Sequence, residues 1–325
     1  MSDRTLIVDG DLIAYRFAAG AEQRSIIATI KKSGNTKEFK NRTELKKFVI
    51  DKGFEFNPDD YEIEDVQKEV DVSIALSTVN KFMETIQKFT WCDDIEVYLG
   101  GGETFRHRLP LPKPYKSNRA DMIKPVHLEA TRNHMRKKYK AQVVTDYEVD
   151  DVVTIRAYEY LNADREAVLC SVDKDSYQCQ GVTIFNWLHE KDDWKLELIP
   201  DVGELYKDKQ TVKGTGLKFL ALQVLAGDTA DTYCGYDLSE VKYGPAKAMK
   251  ALQDARTEQE VMQVLFSEFK RLYPQPFVYT DCHGVEHEAT WQKMLQMYWQ
   301  CAYMKRSWKD PSDIYDFMDE RKIIV

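Results

Sequence analysis

Four short acidic stretches hold the residues that could do chemistry in this sequence: DGD (Asp9, Asp11), EVDD (Glu148, Asp150, Asp151), SVDKDSYQ (Asp173, Asp175) and GDTAD (Asp228, Asp231). The first follows the apolar run Leu6 to Val8, and an apolar run resumes at Leu12. Two acids around one glycine at the end of a buried strand call for a cation, or else for a helix start, where either Asp can accept from free backbone N–H groups. EVDD, DKD and GDTAD have similar structural readings, as a helix cap, a solvated turn, and a C-cap followed by an N-cap. Together they read differently. Carboxylates gathered in one crevice repel one another and cannot all ionise without cations beside them. Hard divalent ions with oxygen ligands fit such a set, and zinc does not, because no histidine stands among the ligands. A pair of such ions stabilises both the attacking and the leaving oxygen of phosphodiester hydrolysis.

Hydropathy patterning supplies the elements that would gather these acids. Leu6 to Val8 predicts a strand and Leu12 to Ala21 the helix behind it. Ile95 to Leu99, Ala141 to Thr145 and Ala167 to Val172 predict further strands, and Pro125 to Lys140 and Asp150 to Leu161 predict helices. This alternation predicts an α/β fold with a mostly parallel sheet flanked by helices. All strand C-termini then lie on one edge, where DGD and DKD end their strands and EVDD opens a helix. The spacing of Val66, Val70, Val79, Phe82, Met83, Ile86 and Phe89 predicts one long amphipathic helix, and the polar stretch 31–65 reads as an inserted or exposed excursion. After Pro200, Leu217 to Ala226, Gly244 to Asp254, Thr257 to Tyr273 and Ala289 to Lys305 predict helices, the last with its aromatics in a core. The expected division is an α/β core over residues 1–213 and a helical region over 214–325.

With 325 residues, 43% of them apolar, the chain can bury a sizeable core. Its net charge of −8 argues superficially against a nucleic-acid partner, but the charge is segregated. From Glu103 to Lys140 eleven Lys or Arg stand against three acids, Glu103, Asp121 and Glu129. Pro110, Pro112, Pro114 and Pro125 divide this segment, which predicts a loop or broken arch able to neutralise a phosphate backbone that the acids would repel. No run approaches the roughly eighteen apolar residues of a membrane span. Met1 to Arg4 lacks the pattern of a signal peptide, so a cytoplasmic protein with no membrane partner is expected. The six cysteines are scattered and read as reduced packing thiols. Cys282, His283 and His287 surround a glycine turn in DCHGVEHE and predict a hairpin rather than a zinc site.

These motifs resemble the 5′-nuclease superfamily of flap endonucleases and 5′-to-3′ exonucleases, in pattern most like its small phage members. The match runs in order through LIVDGD, FRHRLPLPKPYKSNR, EVDDVV, SVDKDSYQ and GDTADTYCGYDLSEVKYGPAKA. The resemblance implies a PIN-like nuclease core with a helical arch, a helix-three-turn-helix-like DNA-binding motif, and two Mg²⁺ or Mn²⁺ ions. Asp9, Glu148 and Asp150 would bind the first ion. Asp173, Asp175, Asp228 and Asp231 would bind or orient the second, with Asp151 a further candidate. Lys116 and Arg119 would contact the scissile phosphate, Arg106 another phosphate, and Tyr115 would stack a terminal base. Gly235, Gly244 and Lys247 would grip duplex phosphates, with K⁺ a candidate ion at that turn. The implied substrate is DNA with a 5′ end, flap or junction, with an RNA/DNA hybrid as a second candidate and replication proteins as candidate partners, in a host cytoplasm if phage-encoded. Two departures stand out. Gly100 to Gly102 occupy the place of a family aspartate, so Glu103 or Asp11 would substitute as ligand, Asp11 otherwise serving as the helix cap. The turn CGYDLSEVKYGPAK is also longer and less glycine-rich than the family's. Two alternatives compete: a haloacid-dehalogenase-type phosphatase using Asp9 as nucleophile and Asp11 as acid/base, and a non-catalytic flap-DNA-binding protein.

Overall fold

A computed structural model describes residues 4–119 and 122–325. Met1–Asp3 and Ala120–Asp121 lie outside the described residues, and with them Asp121 of the basic segment and most of the stretch weighed as a signal peptide. In chain order the elements begin with β1 (Thr5–Asp9), α1 (Gly10–Gly20), β2 (Glu22–Ile30), β3 (Thr36–Phe39), α2 (Arg42–Asp51), β4 (Tyr61–Glu69), α3 (Val72–Thr90) and β5 (Asp94–Thr104). Next come α4 (Leu128–Lys138), β6 (Gln142–Asp146), α5 (Val149–Asn162), β7 (Ala167–Cys170), β8 (Thr183–Phe185), β9 (Leu196–Leu198), β10 (Leu205–Asp208) and β11 (Thr211–Gly214). The helical part holds α6 (Gly216–Ala226), α7 (Pro245–Leu252), α8 (Glu258–Leu272), β12 (Phe277–Thr280), β13 (Glu286–Ala289), α9 (Trp291–Ala302) and α10 (Ile314–Glu320).

Contacts divide the chain into two units. The first comprises Met1–Leu12, Thr85–Met122 and Lys138–Val325, so residues 214–325, set apart in the sequence reading, group with the parallel sheet. That sheet has six strands in the order β6-β5-β1-β7-β8-β9. All neighbours pair parallel except β8 with β9. Its central strand β1 is buried throughout, as a near-continuous apolar run requires when both faces are covered. One face carries α5; on β8, Phe185 meets Phe89 from the last turn of α3 at 5.3 Å between ring centroids. In the helical part α6 is buried along its whole length, because GLKFLALQVLA is apolar on every side. Helices α7, α8 and α9 surround it.

The second unit comprises Ile13–Glu84 and Ile123–Lys137. Here β3, β2 and β4 form an antiparallel sheet, and Ile26, Ala28 and Phe39 pack with Leu45 and Val49 of α2 in a small core of their own. The stretch 31–65, read as an inserted or exposed excursion, is part of this folded unit. Val66 belongs to β4 and Val70 follows it, so the amphipathic helix starts only at Val72. The basic segment, read as a loop or broken arch, holds among its described residues the short 3-10 turns Phe105–Arg108 and Ser117–Arg119 before α4 begins at Leu128. The expected hairpin forms from β12 and β13, and α10 follows the helix that was to be the last.

The DGD glycine has a packing reason. A Cβ on Gly10 would lie 2.7 Å from the Tyr98 carbonyl oxygen and 2.8 Å from a Val97 methyl of β5, so no side chain fits where β1 turns into α1. Gly10→Ala should destabilise the protein by about 1–3 kcal/mol through overpacking. Chemical denaturation measures this, and an unchanged midpoint would show that β5 yields at no cost.

Candidate active site

Strand C-termini converge at the edge where the order switches about β1, which places side chains from several loops in one crevice. A cavity of about 310 Å³ there is lined by Asp9, Asp11, Glu148, Asp150, Asp173, Asp175, Asp228 and Asp231, with Lys116, Arg119 and Lys174 among them. Asp9 ends β1, Glu148 and Asp150 open α5, and Asp173 and Asp175 lie at the 3-10 turn Lys174–Gln178 beyond β7. Asp228 and Asp231 sit just past the C-terminus of α6, and carboxylate oxygens of Asp175, Asp228 and Asp231 all lie within 4.8 Å of one another.

Each acid has a defined environment. One oxygen of Asp9, Oδ1, accepts from the Asp11 and Leu12 backbone N–H groups at 2.9 and 3.2 Å, so Asp9, and not Asp11, caps α1. The Asp11 Oδ2 accepts instead from the Gly100 N–H at 2.7 Å, and a Cβ at Gly100 would stand 3.0 Å from that same oxygen. Asp11 thus occupies the space a residue-100 side chain would need. Glu103 is exposed and does not line the cavity, so of the two expected substitutes only Asp11 reaches the site.

Burial raises the Asp9 carboxyl to about 7, helped by Asp11 and Asp173. Burial also pushes Asp150 well up, with Asp173, Asp9 and Glu148 adding to it, and it does the same to Asp175 beside Asp173. Asp231 rises by burial although Lys116 opposes it. Glu148 goes the other way: burial would raise it, but Arg106 and Lys116 outweigh that and hold it below the usual range. The Lys116 ammonium bonds Glu148 and lies 3.7 Å from Asp231, and the Lys116 N–H donates to the Asp231 carbonyl at 2.9 Å. Arg119 donates to Asp231 at 2.9 Å and Lys174 to Asp228 at 2.5 Å, both with about half their side chains exposed.

Three expected site residues have other work. Arg106 is fully buried, and its guanidinium donates to Asp151 (2.5 and 3.0 Å), Glu148 (3.0 Å), the Cys301 carbonyl (3.1 Å) and the Tyr303 carbonyl (2.7 Å). All five N–H donors are engaged, which leaves none for a phosphate. Asp151 spends both oxygens on Arg106 and the Lys305 N–H, so it is not free to ligate a metal. Tyr115 is also buried, and its hydroxyl donates to Asp231 at 2.8 Å and lies 3.1 Å from Glu148; its ring has no free face for a base. Away from the cavity, Gly235 packs against the Val224 carbonyl of α6, Gly244 precedes α7, and the Lys247 ammonium donates to the Lys242 carbonyl at 2.6 Å. Sequence reasoning passed over Lys174 and His107, which also line the cavity. Lys174 stood in plain view between Asp173 and Asp175, while His107 had only its place in the FRHR run as a signal.

The donor set fits hard divalent cations. It consists of carboxylates, and the Asp150 Oδ1 is buried with no hydrogen-bond partner among the described residues, as an oxygen reserved for a cation would be.

No known family model matches the chain. Flap endonuclease Xni of Shewanella sp. (strain W3-18-1) is 28% identical over 173 residues, 53% of this chain and 60% of that protein. Its namesake in Shewanella baltica (strain OS195) is 27% identical over the same share. The chain spans about three fifths of the length of the curated relatives it matches. This similarity supports the 5′-nuclease superfamily that the motifs resemble. Among solved structures, T5 5′-exonuclease with bound divalent metal ions (zinc) aligns at a TM-score of 0.47 and 15% identity, over 81% of this chain and 83% of that one.

Two outcomes follow from this geometry. The Asp9 carboxyl sits at about 7 instead of its ordinary 3.8, and Asp150, Asp175 and Asp231 shift the same way. The contribution of Asp9 to stability is therefore full below about pH 4 and lost as pH rises through about 7 in metal-free protein, and the other three act in the same sense. Divalent cations bind the ionised carboxylates, so the rise in melting temperature on adding Mn²⁺ should be larger near pH 8 than near pH 5.5; equal rises would contradict this. Arg106→Ala removes the cation paired with buried Asp151 and one of the two paired with Glu148, and should cost about 3–5 kcal/mol in urea unfolding, whereas Arg119→Ala, half exposed, should leave stability nearly unchanged.

Proposed function

We propose that this chain is a divalent-metal-dependent 5′-nuclease, hydrolysing DNA phosphodiesters at 5′ ends, flaps or single-strand/double-strand junctions. The observation that carries this reading is the single cavity in which eight carboxylates meet three cations, two of them from the YKSNR stretch. Asp9, Glu148 and Asp150 would hold one ion and Asp175, Asp228 and Asp231 a second, with Asp173, assigned to the second ion by the motifs, acting electrostatically on Asp9 and Asp150 as well as on Asp175, and Asp11 completing the first set from beside Gly100. Mg²⁺ or Mn²⁺ matches their oxygen-only donors. When bound, the ions supply charge stabilisation to the attacking and leaving oxygens.

The chain's own residues do the rest. Lys116 and Arg119 reach the cavity from one 3-10 turn region and can turn their donors to a phosphodiester, whose developing charge they would stabilise. Their present partners, Glu148 and Asp231, keep them at the cavity. Behind them Asn118 donates to the Thr229 carbonyl at 3.0 Å, tying the YKSNR turn to the loop that carries Asp228 and Asp231. Further along the chain, Lys247 would offer charge to duplex phosphates, with Gly244 at the entry of α7 and K⁺ as the ion of that turn. An RNA strand in a hybrid is a second substrate, since phosphate contacts of this kind do not read the sugar.

The test is a 5′-labelled duplex carrying a flap or a recessed end. Label should be released with Mg²⁺ or Mn²⁺ and not with EDTA, and Asp173→Asn with Asp175→Asn should abolish release. No release with either ion, or an unchanged rate in that double variant, sinks the nuclease reading. Phosphate release from a small phosphomonoester with DNA untouched would favour a phosphatase. Lys116→Ala should lower kcat by about 10²-fold while duplex affinity changes little; the reverse ordering would make Lys116 an anchor only.

A further inference from the structure

We propose that the C-terminal end of α9 and the chain just beyond it, residues Cys301–Lys305, form the common support of both carboxylate groups of the site, acting through Arg106, Gln178 and Gln223 as positioning residues. The inference rests on the metal-site reading above and extends it to a part of the chain that the motifs do not cover.

The last carbonyls of a helix have no intrahelical partner and carry the negative end of its dipole. In α9 these are met by buried side chains. Cys301 O accepts from Arg106 Nε at 3.1 Å, and Ala302 O accepts from Gln178 Nε2 at 2.7 Å. The chain beyond the helix continues the pattern: Tyr303 O accepts from Arg106 at 2.7 Å, Met304 N–H donates to Gln178 Oε1 at 3.1 Å, and Lys305 N–H donates to Asp151 at 3.2 Å. Five successive backbone groups are thus gripped from the active-site side.

From this segment two routes reach the acids. In one, Arg106 donates onward to Glu148 at 3.0 Å. The other is a relay of amides. The Met304 N–H and Ala302 carbonyl leave the Gln178 amide one orientation, with Oε1 toward the former and Nε2 toward the latter. Gln178 Nε2 also faces Gln223 Oε1 at 3.3 Å, which turns the Gln223 Nε2 donor onto Asp175. Gln178, Gln223 and Asp175 are all buried, so this orientation has no water to compete with it. A neutral amide fixes a carboxylate from behind without cancelling its charge, which stays available to a cation in front. Tyr115 then joins the two routes, its hydroxyl touching Glu148 and Asp231.

The measurement is Mn²⁺ binding to the full chain, followed by electron paramagnetic resonance, for the natural protein, Gln178→Met, Gln223→Met, Asp175→Asn and the double variant Gln223→Met/Asp175→Asn. Each Gln variant should weaken Mn²⁺ binding by about tenfold or more, with far-ultraviolet circular dichroism unchanged, and should lower kcat on DNA without raising KM. In the Asp175→Asn background Gln223→Met should add little, because its effect passes through that carboxylate. Natural affinity in a folded Gln variant, or a fully additive loss in the double variant, overturns the inference; if one Gln variant fails to fold, the other decides. A natural protein that binds no Mn²⁺ would instead overturn the metal-site reading beneath it.

Discussion

A surplus of negative charge at one edge of a parallel sheet is the constraint on which this structure turns. Eight carboxylates line a cavity of about 310 Å³ with only Lys116, Arg119 and Lys174 to offset them, five more acids than cations. Low dielectric surroundings make each unpaired charge costly, and the protein answers in two ways. Asp9, Asp150, Asp175 and Asp231 are shifted toward the protonated form. Glu148 is instead kept ionised by Arg106 and Lys116. A pair of divalent ions would remove four of the five surplus charges, so the arrangement is nearly balanced for the occupant its chemistry suits.

Positioning and neutralisation are assigned to different residues. Arg106 is wholly buried and has no donor to spare, and it fixes Glu148 while joining it to the end of α9. The Asp9 oxygen that caps α1 is likewise held by backbone N–H groups, which set its direction without adding a counter-charge. Arg119 and Lys174, by contrast, are about half exposed. Exposed ion pairs of this kind contribute little to stability and exchange partners readily. The acids are therefore fixed from the protein side and only loosely neutralised from the solvent side, the order in which a cation or a phosphate would arrive.

Much of this was legible in the sequence because it depends on local order. Apolar runs ending in acids gave β1 with Asp9, β7 with Asp173, and the start of α5 with Asp150, and strand–helix alternation put them on one edge. Burial of polar residues was not legible. Arg106 and Tyr115 have the residue types of nucleic-acid contacts, yet the partners that bury them, Cys301, Tyr303 and Asp231, lie more than a hundred positions away. Gln178 and Gln223 carry no charge, and although one closes the SVDKDSYQ motif and the other interrupts an apolar run, neither position names the partner of its amide. The folded structure within the stretch 31–65 was hidden for another reason: most of its side chains are polar, and Phe39, Leu45 and Val49 are too few to outweigh them in a composition count.

The place of Asp11 follows from the same accounting. A glycine at position 100 reads in the sequence as a lost ligand, but in three dimensions the Asp11 carboxylate sits 3.0 Å from where a residue-100 Cβ would be and is anchored by the Gly100 N–H. A side chain at 100 would press on the Asp11 carboxylate and require it to shift by a few tenths of an ångström. Gly10, pressed on the Tyr98 carbonyl, in turn sets the backbone from which Asp11 projects. The DGD turn and Gly100 of β5 are thus packed as one: the second acid of the turn is anchored by the Gly100 N–H in room that the missing side chain leaves.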